Sequence, residues 1–165
     1  MKRYELNREQ IIDRPRNQVF SFFERPENLA RITPPSMRFR ILTPGPITMA
    51  AGALIDYTVR IFGIRRRWTT RIESYDRPNE FVDVQLRGPY TFWRHTHRFE
   101  DVTEGTRMID RVDYIVPFGL SGRLAHKFFI KRRLRDIFDY RSRKIREIFG
   151  SEHSSRSDPA GEKVE

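Results

Sequence analysis

The chain has 165 residues, enough for one domain with a sizeable core, and it contains no cysteine. That excludes disulfides, thiolate metal sites and cysteine nucleophiles, and it fits a reducing compartment. A formal net charge of +10 invites an anionic partner, nucleic acid or membrane, so the placement of the basic side chains matters.

The opening "MKRYELNREQ" carries no apolar stretch of the kind a secretion signal needs, and no segment approaches a membrane span, so a cytoplasmic protein is expected. Residues 4–13 read as a strand ended by Pro15. "PRNQVFSFFE" then has proline at a first helical position and Val19, Phe22 and Phe23 on one face. "PENLARI" (26–32) reads as a shorter helix stopped by Pro34-Pro35.

From Met37 to Phe118 the period changes to two, and strands are expected near 37–43, 53–62, 65–75, 80–87, 92–103 and 106–117. Turn formers separate them: Pro44-Gly45-Pro46, Gly63, Pro78-Asn79, Gly88-Pro89 and Glu104-Gly105. Strands joined by short turns form an antiparallel meander. After Gly119 the period returns to 3.6, with Leu120, Leu124, Phe128, Leu134, Ile137, Phe138, Ile145 and Ile148 predicting one helix of roughly 30 residues, near 45 Å long. Residues 1–150 form the expected domain, and 151–165 read as a disordered polar tail.

A curved sheet of this kind has one face to cover, and the long helix is the only element able to cover it. Alternation then sorts the strands into faces. In "TFWRHTHRF" (91–99), Arg94 and Arg98 belong in water, so Trp93, His95, His97 and Phe99 point inward. The same logic sends Met108, Asp110, Val112 and Tyr114 inward, with Trp68, Thr70 and Ile72, and with Ile55, Tyr57, Val59 and Ile61. A mostly aromatic and aliphatic interior with a few convergent polar groups suits a small-molecule site.

The order of elements resembles the helix-grip fold of the START-like, Bet v 1-like superfamily, which includes polyketide cyclase/dehydrase and lipid-transport proteins. The resemblance spans about residues 3–149 and is carried by "PRNQVFSFFERPENLARITPP", "FVDVQLRGPYTFWRHTHRF" and "GTRMIDRVDYIVPFG". It implies an α+β helix-grip fold: a curved antiparallel β-sheet wrapped around a long C-terminal α-helix, with two short helices after the first strand. It also implies a ligand cavity between sheet and helix. Hydrophobicity alone would turn Val82, Val84 and Leu86 inward, whereas the resemblance turns Phe81, Asp83 and Gln85 inward; the second reading is preferred. An apolar Val82/Val84/Leu86 stripe would then lie outside, a patch for a weak homodimer.

The expected ligand contacts are Tyr57, Trp68, Thr70, Asp83, Gln85, Trp93, His95, His97, Asp110 and Tyr114, with Phe128 from the helix stripe. The expected ligand is hydrophobic or aromatic. His95 and His97 are open to three readings: satisfied core imidazoles, ligand-recognition groups, or metal ligands with Asp83 or Asp110 as a third. No longer signature supports a metal, and no metal or cofactor is assigned. Should the protein be a cyclase or dehydratase, His95, His97 and Asp110 are the candidate catalytic groups, as a His–Asp acid/base pair. No Ser–His–Asp order, phosphate-cradling glycine loop or zincin motif is present. The basic run "HKFFIKRRLRDIFDYRSRKIR" reads either as a solvated helix back paired with Asp136, Asp139 and Glu147, or as a peripheral contact with an anionic membrane. No specific nucleic acid is expected, since the aromatics fall inside rather than on display for base stacking.

Overall fold

Pro15 ends the first strand, β1 (Tyr4–Ile12), and starts α1 (Arg16–Phe23), which buries Val19, Phe20 and Phe23. The computed structural model describes residues 2–154. The second short helix, Pro26–Ile32, winds as a 3₁₀ helix, and a single 3₁₀ turn follows at Pro35–Met37.

Six further strands follow: β2 (Arg40–Ile41), β3 (Leu54–Ile61), β4 (Ile64–Asp76), β5 (Glu80–Arg87), β6 (Phe92–Val102) and β7 (Gly105–Ile115). All pair antiparallel in one sheet of order β1-β7-β6-β5-β4-β3-β2. The meander is therefore as expected, closed on one side by β1 beside β7. β2 is shorter than the 37–43 strand anticipated, pairing only as Arg40↔Thr58 and Ile41↔Tyr57 before the Pro44–Pro46 segment leaves the edge. At the β6–β7 turn Gly105 has φ +127°, and a Cβ there would stand 2.4 Å from the Ile12 carbonyl oxygen. That turn position needs glycine.

The long C-terminal helix expected is present and unbroken from Gly119 to Ser154, but it is not α-helical throughout. It runs as α2 (Gly119–Ala125), one π-helical turn (His126–Ile130) and α3 (Lys131–Ser154). The π turn shifts the helical phase, so the apolar residues before it no longer share a face with those after it. Leu134, Phe138, Ile145 and Phe149 are buried, whereas Leu120, Leu124, Phe128 and Phe129 are exposed. α3 continues through Ser154, past the boundary expected at 150. The remainder of the expected polar tail lies outside the described residues.

Two aromatic-rich clusters form the core. Phe20, Phe23, Phe99, Met108, Ile145 and Phe149 pack at one end of the sheet, and Trp68, Trp93, Val112, Tyr114, Leu134 and Phe138 at the other. On β5 the inward residues are Phe81 and Asp83, the preferred register. The outward stripe is nonetheless not open. Arg94 of β6 binds Glu73 of β4 at 2.6 Å, and β5 lies between those strands, so the ion pair crosses over it. Val82 is 1% exposed beneath this side-chain layer, Val84 is half-buried, and Leu86 alone stays exposed. The apolar patch expected to support a homodimer is reduced accordingly.

Candidate functional site

β6 delivers Trp93, His95 and His97 to the inner face at every second position, because the alternating arginines and threonine hold the opposite face toward solvent. Antiparallel registry then sets the partners. His95 lies opposite Asp83 on β5, and His97 lies opposite Asp110 on β7. The four side chains gather into a ring-shaped cluster in which two of the four contacts are hydrogen bonds. His95 Nε2 is 2.7 Å from Asp110 Oδ1, and His97 Nε2 is 2.9 Å from Asp83 Oδ2. His97 Nδ1 is 3.0 Å from Asp110 Oδ1, but its N–H is poorly aligned and makes no proper hydrogen bond. His95 Nδ1 stands 3.9 Å from Asp83, beyond hydrogen-bond reach. The imidazole centroids are 3.7 Å apart, and His97 stacks on Phe81 at 4.2 Å.

Burial and charge push the two imidazoles in opposite directions. Desolvation, followed by the like charge of His97, lowers His95 to about 4. Desolvation also pulls His97 down, but its contacts with Asp110 and Asp83 outweigh this and leave it above the ordinary value. Burial would raise Asp110, yet its hydrogen bond to His95 and its close contact with His97 hold it well below the usual carboxylate range. The two shifts run in opposite directions, so His97, between two carboxylates, holds its proton to higher pH than His95 does.

The ring forms one wall of a cavity of about 190 Å³ between the sheet, the 26–39 segment and α3. Ile55, Val59, Trp68, Ile72, Trp93, Leu134 and Phe138 supply the apolar lining. Tyr57 and Thr70 face the cavity as expected and bond to each other at 3.3 Å. Burial pushes the Tyr57 hydroxyl well above its ordinary pKa, so it stays neutral.

Four expected contacts take other places. Asp110 stands behind the histidines rather than on the lining. Tyr114 is buried but turns toward the C-terminal helical region, its hydroxyl 2.8 Å from His126 Nε2. The Gln85 amide donates to the Tyr90 carbonyl at 2.7 Å and pins the β5–β6 turn. Phe128 is 58% exposed, because the π turn rotates it off the inner face.

Sequence reading missed Arg141. It lines the cavity from α3, is 9% exposed, and places its guanidinium 5.0 Å from the centre of the Phe138 ring. A signal was available: Leu134, Phe138, Arg141 and Ile145 follow one another at steps of four, three and four, the spacing of a single buried stripe.

Asp83, His95 and His97 hold donor atoms within 4.8 Å of one another, the set among the described residues that could hold a cation. In this structure those atoms instead answer one another and Asp110.

A family model described as "Polyketide cyclase / dehydrase and lipid transport" matches residues 12–139. The chain belongs to that family. Comparison with curated proteins finds no match. Among solved structures, the chain is similar to TTHA0849 from Thermus thermophilus, with a TM-score of 0.67 and 16% identity over 93% of this chain and 100% of that one. Protein Ms6760 from Mycobacterium smegmatis gives a TM-score of 0.67 and 13% identity, over 90% and 92% of the two chains. Ara h 8.0201 gives 0.59 and 12%, over 87% and 98%. At these identities the likeness concerns the fold, which is the START-like, Bet v 1-like helix grip. For a member of this family, ligand binding in general follows. No helix among the described residues is long and apolar enough to cross a membrane.

Proposed function

We propose that the protein binds a hydrophobic or aromatic small molecule in the cavity between the sheet and α3. The carrying observation is the cavity itself: about 190 Å³, walled mainly by aromatic and aliphatic side chains, with buried polar groups at the His95–His97 wall and at Arg141 facing it. An engineered apolar cavity of about 150 Å³ already takes up benzene, so this one has room for a larger body. Titration with a neutral environment-sensitive dye, N-phenylnaphthylamine, is expected to show saturable binding to wild type. Val59 is buried on the lining, and Val59→Trp would fill the space, abolishing that binding while the fold persists. A wild type that takes up no dye would sink the reading.

The histidines favour a second reading. Two imidazoles side by side whose proton affinities are pushed in opposite directions are what proton transfer at an activated carbon needs, as in a cyclase or dehydratase. His95 would accept a proton and His97 would return one. Turnover of polyketide-like ketones with a pH dependence lost in Asp110→Asn would support this; its absence across such substrates would leave binding alone. We also propose peripheral docking on anionic membrane, through the exposed apolar and basic residues of 118–132.

A further inference from the structure

Arg141 has charge to spare. Its Nε and Nη1 are shielded from solvent and have no hydrogen-bond partner. The nearest acid is Asp110, whose Oδ1 is 3.9 Å from Nη1, too far for a hydrogen bond. That same oxygen already faces His95 Nε2 at 2.7 Å and His97 Nδ1 at 3.0 Å. Asp83 is likewise engaged with His97 at 2.9 Å. One oxygen of each carboxylate is thus taken by imidazoles, and Arg141, with a distant ion pair to Asp110 and the Phe138 ring beside it, still has two buried N–H groups without a hydrogen bond. A guanidinium cannot shed its proton to escape burial, and buried donors left unpaired are costly. Native proteins rarely keep such groups without a partner.

The missing partner has a definable chemistry. The Arg141 fork presents parallel N–H groups that match the two oxygens of a carboxylate, and such pairs are among the strongest hydrogen-bonded contacts. Most of the remaining lining is apolar, and its other arginines, Arg25, Arg60 and Arg133, are exposed or half-buried rather than buried, so the body attached to that carboxylate must be largely apolar too. A single negative charge fits better than a doubly charged phosphate, because Asp83 and Asp110 already stand nearby.

We infer that the cavity takes a hydrophobic monocarboxylic acid, its carboxylate on Arg141 and its apolar body against Trp68, Trp93 and Leu134. This rests on the reading of the cavity as a small-molecule site. It makes Arg141 the residue that selects an acid over a neutral compound of the same shape.

The test is competition on the full chain. Naphthoate and naphthamide, nearly the same shape but charged and neutral, are titrated against bound N-phenylnaphthylamine. In wild type the acid is expected to displace the dye about tenfold more tightly than the amide, or better. In Arg141→Gln the two should compete equally, each measured against that variant's own dye affinity; Arg141→Lys, which keeps charge but loses the fork, should fall between. Equal competition by acid and amide in wild type overturns the acid reading and leaves the cavity reading standing. A preference for acid that survives in Arg141→Gln overturns the role of Arg141. No dye binding at all removes the cavity reading and this one with it. Should Arg141→Gln fail to fold, the wild-type ratio and Arg141→Lys decide.

Discussion

Asp110 shows why position in the network matters more than presence in the cavity. It does not touch the lining, yet one of its oxygens faces both imidazoles, and its removal would reach His95 and His97 together. Asp110→Asn keeps the shape and can still accept one hydrogen bond, but it strips the charge that keeps His97 protonated. The substitution is expected to cost roughly 1–3 kcal/mol, the usual penalty for leaving a buried polar group poorly matched. At roughly 2–4 °C per kcal/mol for a chain near this size, thermal melting would reveal it clearly. Unchanged melting would mean that the ring is not held by this carboxylate. At this scale the sequence was legible where alternation governs. The arginines of β6 fixed its outer face, and Trp93, His95 and His97 followed inward, as Trp68 did by the same alternation on β4. Arg141 was not legible by the same rule, because a rule that sends every arginine to solvent cannot see one required inside. Tyr114 faces inward as alternation demands, but period says nothing about whether a buried side chain meets a cavity or a helix.

Among the elements, the C-terminal helical region departs most from its sequence pattern. Leu120, Leu124 and Phe128 recur at helical spacing with the buried stripe of α3, so period alone joins them into one helix. The turn at His126–Ile130 breaks the phase, and no glycine or proline marks it. What fixes it is tertiary: His126 stacks on Tyr4 at 3.5 Å and bonds the Tyr114 hydroxyl. The Tyr4 contact joins residues more than a hundred positions apart, which local periodicity cannot register. The consequence is a surface on which Phe118, Leu120, Leu124, Phe128 and Phe129 are all exposed, Leu120 by 80%, among Arg123, Lys127, Lys131 and Arg132. Apolar side chains set among cations suit the interface of an anionic bilayer. Co-sedimentation with phosphatidylserine-containing vesicles is expected, weakened by added salt and by Leu120→Glu/Phe128→Glu. Equal recovery with neutral vesicles, or no effect of the substitutions, would remove this segment as the docking site.

For the molecule as a whole, the buried histidines predict how stability varies with pH, and their signs oppose. His95 is held down to about 4, so between the ordinary histidine value near 6.5 and about 4 the unfolded chain takes up a proton that the folded one refuses. Stability therefore falls as pH drops through that window. The lowered His126 adds to the same slope. His97 is raised, so the folded chain keeps a proton that the unfolded one has lost above about 6.5, and stability falls as pH climbs through its folded value. Asp110, held low by its imidazoles, extends the acid loss below the ordinary carboxylate range near 3.8. Each uncompensated proton contributes up to about 1.4 kcal/mol per pH unit, which is large against a domain stability of about 5–15 kcal/mol. Opposite slopes meeting at the ordinary histidine value place a stability maximum close to about pH 6.5. Chemical denaturation across pH should trace that maximum. His97→Gln should flatten the alkaline limb and only weaken the acid limb, because burial, the larger cause of the His95 shift, remains when the like charge of His97 is gone. A wild-type profile that rises steadily through neutrality would show that His97 does not hold its proton in the folded state. The proton assignment within the ring would then have to be reversed.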